Sequence, residues 1–155
     1  MGGFRKEKAH EKYAWILLFV SGLLALIVSV FIIVVPAPID TTGVKNLTGI
    51  TWEQIVSQSP AAAKLISYFI AQFGIAEAGF GILTMGISAL GYRKGERWAW
   101  YVLCFVPIVW LGYVVTNLAV GGTFWMQTGV LLILAVLGLL LPYRKFFPMK
   151  QPVGI

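Results

Sequence analysis

Only one acidic side chain lies within the apolar stretches of this sequence: Glu77, in the run from Ala63 to Gly91. A carboxyl near the middle of a membrane helix costs several kcal/mol to insert, so residues of this kind mark a site or a structural tie. Two chemistries suit it, a proton- or cation-binding carboxylate or a hydrogen-bonded group joining helices. The partners expected at similar depth are Trp110 and Tyr113, with Gln72 a little over one turn away. The other chemistry-bearing residues are sparse. Cys104 has no histidine within the apolar segments to activate it, because His10 sits in the polar N-terminal stretch. No His, Cys, Asp or Glu cluster has metal-ligand spacing, and no Ser-His-Asp set can form within the apolar segments. Catalysis, a metal site and a bound cofactor are therefore not expected. Thr116 and Asn117 near one end of the third helix, and Gln127 and Thr128 near the start of the fourth, are expected to hydrogen-bond across helices or to line a small polar pocket. Asn46-Leu47-Thr48 fits the N-x-T glycosylation pattern.

The elements that must position these residues follow from composition. Of 155 residues, 59% are hydrophobic and only 12% charged, about half the charge of an average soluble domain. The expected fold is all-α, a single integral membrane domain over 1–155 with four transmembrane helices at about 14–35, 63–91, 98–120 and 124–141. Pro36 and Pro38 end the first helix, and 36–62 form a loop containing one short interfacial helix at 52–58, opened by a Thr51/Gln54 capping box. Ser67, Ala71, Gly74, Ala78 and Gly81 fall on one face of the second helix, a small-residue stripe that lets another backbone approach closely. The string Gly91 to Trp98 reads as a tight basic turn in which Glu96 and Arg97 can pair. Pro107 is expected to kink the third helix and Pro142 to close the fourth.

Charge sets the orientation. Arg5, Lys6, Lys8, Lys12, Arg93, Lys94, Arg97, Arg144, Lys145 and Lys150 fall on one side of this arrangement, and only Lys45 and Lys64 on the other. The positive-inside rule then makes both termini and the 91–97 turn cytoplasmic and turns the 36–62 loop outward. Trp98 and Trp100 belong to the aromatic belt on the cytoplasmic side. The net charge of +6 is accounted for by orientation and by attraction to anionic lipid, which argues against nucleic acid as a partner.

With the glycine-rich, glutamate-bearing second helix leading into Arg93, Gly95, Glu96, Trp98, Ala99 and Trp100, the stretch from Gly74 to Val120 resembles a group of small uncharacterised four-helix membrane proteins of prokaryotes, archaea included. It is more loosely similar to DoxX-like proteins, by architecture alone. The resemblance implies a fold and no activity. Small multidrug exporters carry their membrane glutamate in the first helix, and rotary-ATPase proteolipids have duplicated hairpins that this chain lacks. The function expected from the sequence is an accessory, non-catalytic subunit of a larger multi-pass complex in the cell membrane, of the respiratory or metal-dependent oxidase or monooxygenase class. The alternative is a small proton-coupled transporter or ligand-binding bundle that uses Glu77, which requires a cavity at that residue.

Overall fold

The computed structural model describes residues 9–148, so Arg5, Lys6, Lys8 and Lys150 lie outside the described residues. Among these residues there is no strand. Four helices are long and apolar enough to cross a bilayer: α1 (Glu11–Val34), α4 (Pro60–Tyr92), α5 (Arg97–Ala119) and α6 (Trp125–Phe146). Two short helices, α2 (Thr41–Thr48) and α3 (Trp52–Gln58), stand between α1 and α4 at one end of the bundle, here the loop end. The basic end lies opposite. There Arg93 stacks over Trp15 at 5.1 Å, Arg97 Nε donates to the Phe146 carbonyl at 3.0 Å, and Lys145 Nζ to the Arg93 carbonyl at 3.2 Å.

The expected α3 is present with its capping box closed both ways, Gln54 N on Thr51 Oγ1 at 3.3 Å and Thr51 N on Gln54 Oε1 at 2.8 Å. α2 corrects the reading of 36–51 as irregular loop. Its sequence, TTGVKNLT, has little helix propensity because Thr and Gly dominate it. What makes it a helix is at its ends. The Asp40 carboxylate accepts from Gly43 N at 3.0 Å, and Gly49 ends the helix in the left-handed region at φ 76°.

The three expected breaks behave differently. α4 runs on through Gly91 and Tyr92 by way of a widened π-helical turn at Ser88–Tyr92, with Arg93 N bonding Ser88 O at 3.0 Å, so the basic turn is shorter than Gly91 to Trp98. In α5 the irregularity falls at Cys104, where Pro107 cannot supply the amide that Leu103 would otherwise receive. Pro142 closes the regular helix of α6, which runs Trp125–Leu140 with Leu141 as its C-cap, and one further helical turn, Tyr143–Phe146, follows within the span. Pro142 also lacks the amide that would close on the Gly138 carbonyl, and the Tyr92 hydroxyl donates to that carbonyl instead, at 2.6 Å. The neighbouring Leu139 carbonyl receives the Trp100 indole N–H at 3.2 Å. Side chains of α4 and α5 are thus bound to the backbone of α6 where proline has opened it.

The closest packing joins α1 to α4. A Cβ on Gly81 would stand 2.7 Å from the Gly22 carbonyl oxygen, and one on Gly22 would stand 2.8 Å from that of Gly81. Gly74 meets Ser29, Ile32 and Ile33 farther along. The stripe is therefore the surface on which α1 lies, with Ala78 half-buried between the two buried glycines. For helices that cross a bilayer, lipid offers no hydrophobic gain on joining, and association there rests on close van der Waals approach, which glycine permits. Elsewhere the core is formed by Leu18, Leu103, Val106, Trp110, Leu131 and Ala135 among others, from α1, α5 and α6.

Gly81→Leu is expected to force α1 away from α4 and to destabilise the bundle by about 1–3 kcal/mol, read as a lower melting temperature in detergent. Gly79→Ala, at a site where an added Cβ meets nothing within 4 Å, should leave melting unchanged or slightly raised.

Candidate functional site

Glu77 is three residues after Gly74 and four before Gly81, so helical spacing puts it on the margin of the face that holds α1. It is half-buried there. Glu77 is one of the residues that line a cleft of about 590 Å³ between α1 and α6. Leu24, Ala25, Ile27, Val28 and Phe31 form the α1 wall; Gln127, Thr128, Val130 and Leu131 form the α6 wall. Trp110 closes the inner side, and Ile39 and Phe124 form a lip at the loop end. Ile27 and Val130 remain more than half exposed, 57% and 55%, so the cleft opens sideways between the two helices.

The partners expected for Glu77 are engaged elsewhere. The Trp110 indole N–H donates to Ser21 Oγ at 3.2 Å, a buried bond between α5 and α1. Tyr113 is half-buried, its ring 5.7 Å from Trp110 and 5.8 Å from Phe73, within electrostatic reach of Glu77 and without a hydrogen bond to it. Gln72 is exposed. Among the described residues the Glu77 carboxyl accepts no hydrogen bond. Thr116, Asn117 and Thr128 neither bond across helices nor line a polar pocket together. Each hydroxyl or amide turns back to a carbonyl of its own helix: Thr116 to Gly112 at 2.9 Å, Asn117 to Tyr113 at 2.8 Å, Thr128 to Trp125 at 3.1 Å.

At the basic end, Glu96 and Arg97 do not pair. Glu96 accepts from the Trp98 indole N–H, while Arg97 reaches the Phe146 carbonyl and stacks over Phe147 at 5.8 Å. Arg93, Glu96, Arg97 and Trp98 are exposed and Trp100 is half-buried. Cys104 is half-buried, and among the described residues no three of His, Cys, Asp and Glu converge on a point that could hold a metal ion.

The loop end holds residues that sequence reasoning passed over. Besides capping α2, Asp40 accepts from Thr123 N at 2.9 Å and from Phe124 N at 3.5 Å, immediately before α6. One carboxylate therefore caps two helices and joins them. Gly122 leaves room for it, since a Cβ there would collide with Asp40 Oδ2. Asn46, exposed on α2, donates its amide to the Val120 and Gly121 carbonyls, both at 3.0 Å. The nitrogen that a glycan would modify is thus already bonded to the α5–α6 turn. An Asp before Thr-Thr-Gly was the visible N-cap signal for α2; nothing in the sequence announced its second partner. The lip residues Ile39 and Phe124 adjoin Asp40 and Thr123, so this clasp holds the loop end of the cleft in place.

No family model matches this sequence, and no curated protein or solved structure proves similar to it. The cleft itself has to carry the functional argument.

Partial burial pushes the Asp40 carboxyl up, but the amides of Gly43, Thr123 and Phe124 and the Thr123 hydroxyl outweigh this and hold it below 3.8. A group whose pKa is lowered by folding stabilises the folded state above its unfolded pKa and ceases to do so as pH falls through the folded value. The Asp40 contribution to the melting temperature is thus expected to be constant near neutrality and to be lost once pH passes below about 4. Asp40→Ala should make the acid-dependent drop smaller and cost about 1–2 kcal/mol at neutral pH, the scale of a lost helix cap.

Proposed function

We propose that this chain is a multi-pass protein of the cell membrane that takes a small, largely apolar molecule from the bilayer into the cleft between α1 and α6, with Glu77 anchoring its polar group. The observation that carries this reading is the meeting of the cleft with the one acidic residue in the apolar segments. Its volume of about 590 Å³ lies within the 300–1,000 Å³ of small-molecule sites, and its walls are apolar, as such sites commonly are. A sideways opening suits a ligand already dissolved in lipid. The basic end faces the cytoplasm in this reading, by the positive-inside rule, with Lys12, Arg93, Lys94, Arg97, Arg144 and Lys145 on that side. The loop end, with α2 and α3, then faces out.

An accessory-subunit role, expected from the sequence, is compatible with the same geometry in one form. A helix of a partner subunit, in place of a small molecule, would lie against the open side of the cleft. The resemblance of Gly74 to Val120 to four-helix prokaryotic proteins is compatible with either, since it implies no activity.

Purification from native membranes in gentle detergent, followed by native mass spectrometry, separates the two. A bound mass of a few hundred daltons on the lone chain supports ligand binding. Large subunits in fixed ratio support the accessory role. In the first case Val28→Trp, which places an indole where a half-buried valine lines the cleft, should abolish the bound mass while leaving the melting temperature within a few degrees of the parent.

A further inference from the structure

The cleft is lined by one carboxyl-bearing residue, Glu77, and by no cationic side chain. Glu77 accepts no hydrogen bond among the described residues, and the nearest indole N–H, that of Trp110, is committed to Ser21. No arginine or histidine lies within the apolar length of any span, and the one lysine on the apolar length of α4, Lys64, is thirteen residues from Glu77, about 20 Å along the helix. The remaining lining is aliphatic and aromatic apart from Gln127 and Thr128, and Thr128 spends its hydroxyl on its own helix. An ionised carboxyl in such surroundings is stabilised by a cation, and since the lining holds none, a ligand is the group that can bring it. Aromatic rings at Phe31 and Phe124 in the same lining are also favourable to a positive group or to the apolar part next to it.

From this we infer that the cleft selects lipophilic amines, the ammonium group pairing with Glu77 and the apolar body lying between α1 and α6 toward Ile39 and Phe124. The inference rests on the reading that the cleft holds a ligand, and it adds the ligand's charge and shape. The wall from Ala25 to Phe31 spans six residue steps, about 9 Å, the length of an extended body of roughly eight carbons. A neutral apolar molecule of equal length would fit the walls and leave the carboxylate unmatched.

Octylamine and octanol are the probes, since they share a chain and differ in the head group. Each is equilibrated, radiolabelled, with the full chain in phosphatidylcholine nanodiscs, and binding to empty nanodiscs is subtracted. The expected result is saturable octylamine binding at least tenfold tighter than octanol binding. In Glu77→Gln the amine should lose that tenfold advantage while octanol is unaffected, and in Val28→Trp both should be lost. Equal affinities for octylamine and octanol overturn the amine inference and leave the cleft as a ligand site. Binding of neither probe above empty nanodiscs overturns both. Should Glu77→Gln fail to fold by circular dichroism, the wild-type comparison decides, together with octyltrimethylammonium. That probe keeps its charge at high pH and should bind equally well at pH 7 and above the amine's own titration, where octylamine binding falls.

Discussion

The backbone-to-backbone approach of Gly22 and Gly81 is the constraint on which the rest of the bundle depends. Where water is absent, two helices gain from association chiefly what their atoms gain by touching, and side chains that hold the axes apart reduce that gain. Glycine on both helices at one level removes the spacers. With that contact fixed, the rotation of α1 about its axis is also fixed. Ser21, Ala25 and Ser29 become buried, whereas Leu24, Ile27 and Phe31 turn toward α6 and the open side. The same contact places Glu77. A residue between Gly74 and Gly81 at helical spacing has to emerge at the edge of α1, and the cleft begins at that edge.

The cleft exists because α1 and α6 meet closely at one level only. Toward the basic end, Gly138 admits Leu18, whose Cγ would stand 2.8 Å from a Cβ at that position, and Ala135 lies buried nearby. Toward the loop end the facing residues are larger, Leu24, Ile27 and Phe31 on α1 against Gln127, Val130 and Leu131 on α6. The helices stay apart there, and the gap is bounded by the Ile39 and Phe124 side chains.

Each end is held by hydrogen bonds to backbone groups that the helices themselves leave unsatisfied. At the basic end Pro142 frees the Gly138 carbonyl and Tyr92 takes it up, with Trp100 on Leu139 beside it. At the loop end the free amides preceding α6 are taken by Asp40. Both solutions use residues far apart in sequence, forty-six positions in the one case and eighty-three in the other. They also account for the expected interactions that are not formed. Arg97 finds the Phe146 carbonyl and not Glu96, and Trp110 finds Ser21 and not Glu77, because a partner within a packed element is held in place and a flexible neighbour is not.

The sequence by itself determined the four long apolar helices, the α3 capping box and the small-residue stripe, because each is a periodic or local pattern with a direct physical cause. It also singled out Glu77, since a lone carboxyl in apolar sequence is costly wherever the chain folds. It did not determine α2, whose stability comes from Asp40 and Gly49 and not from the propensity of TTGVKNLT. Nor did it determine that Pro142 would open a carbonyl for Tyr92 and let the helix resume, or that Asp40 would join α2 to α6. Only the tertiary structure decided which face of α1 would meet Gly81, and hence that Glu77 would border a gap and not a packed contact. A cleft is a property of the distance between two helices, and that distance is set by side chains drawn from every part of the chain.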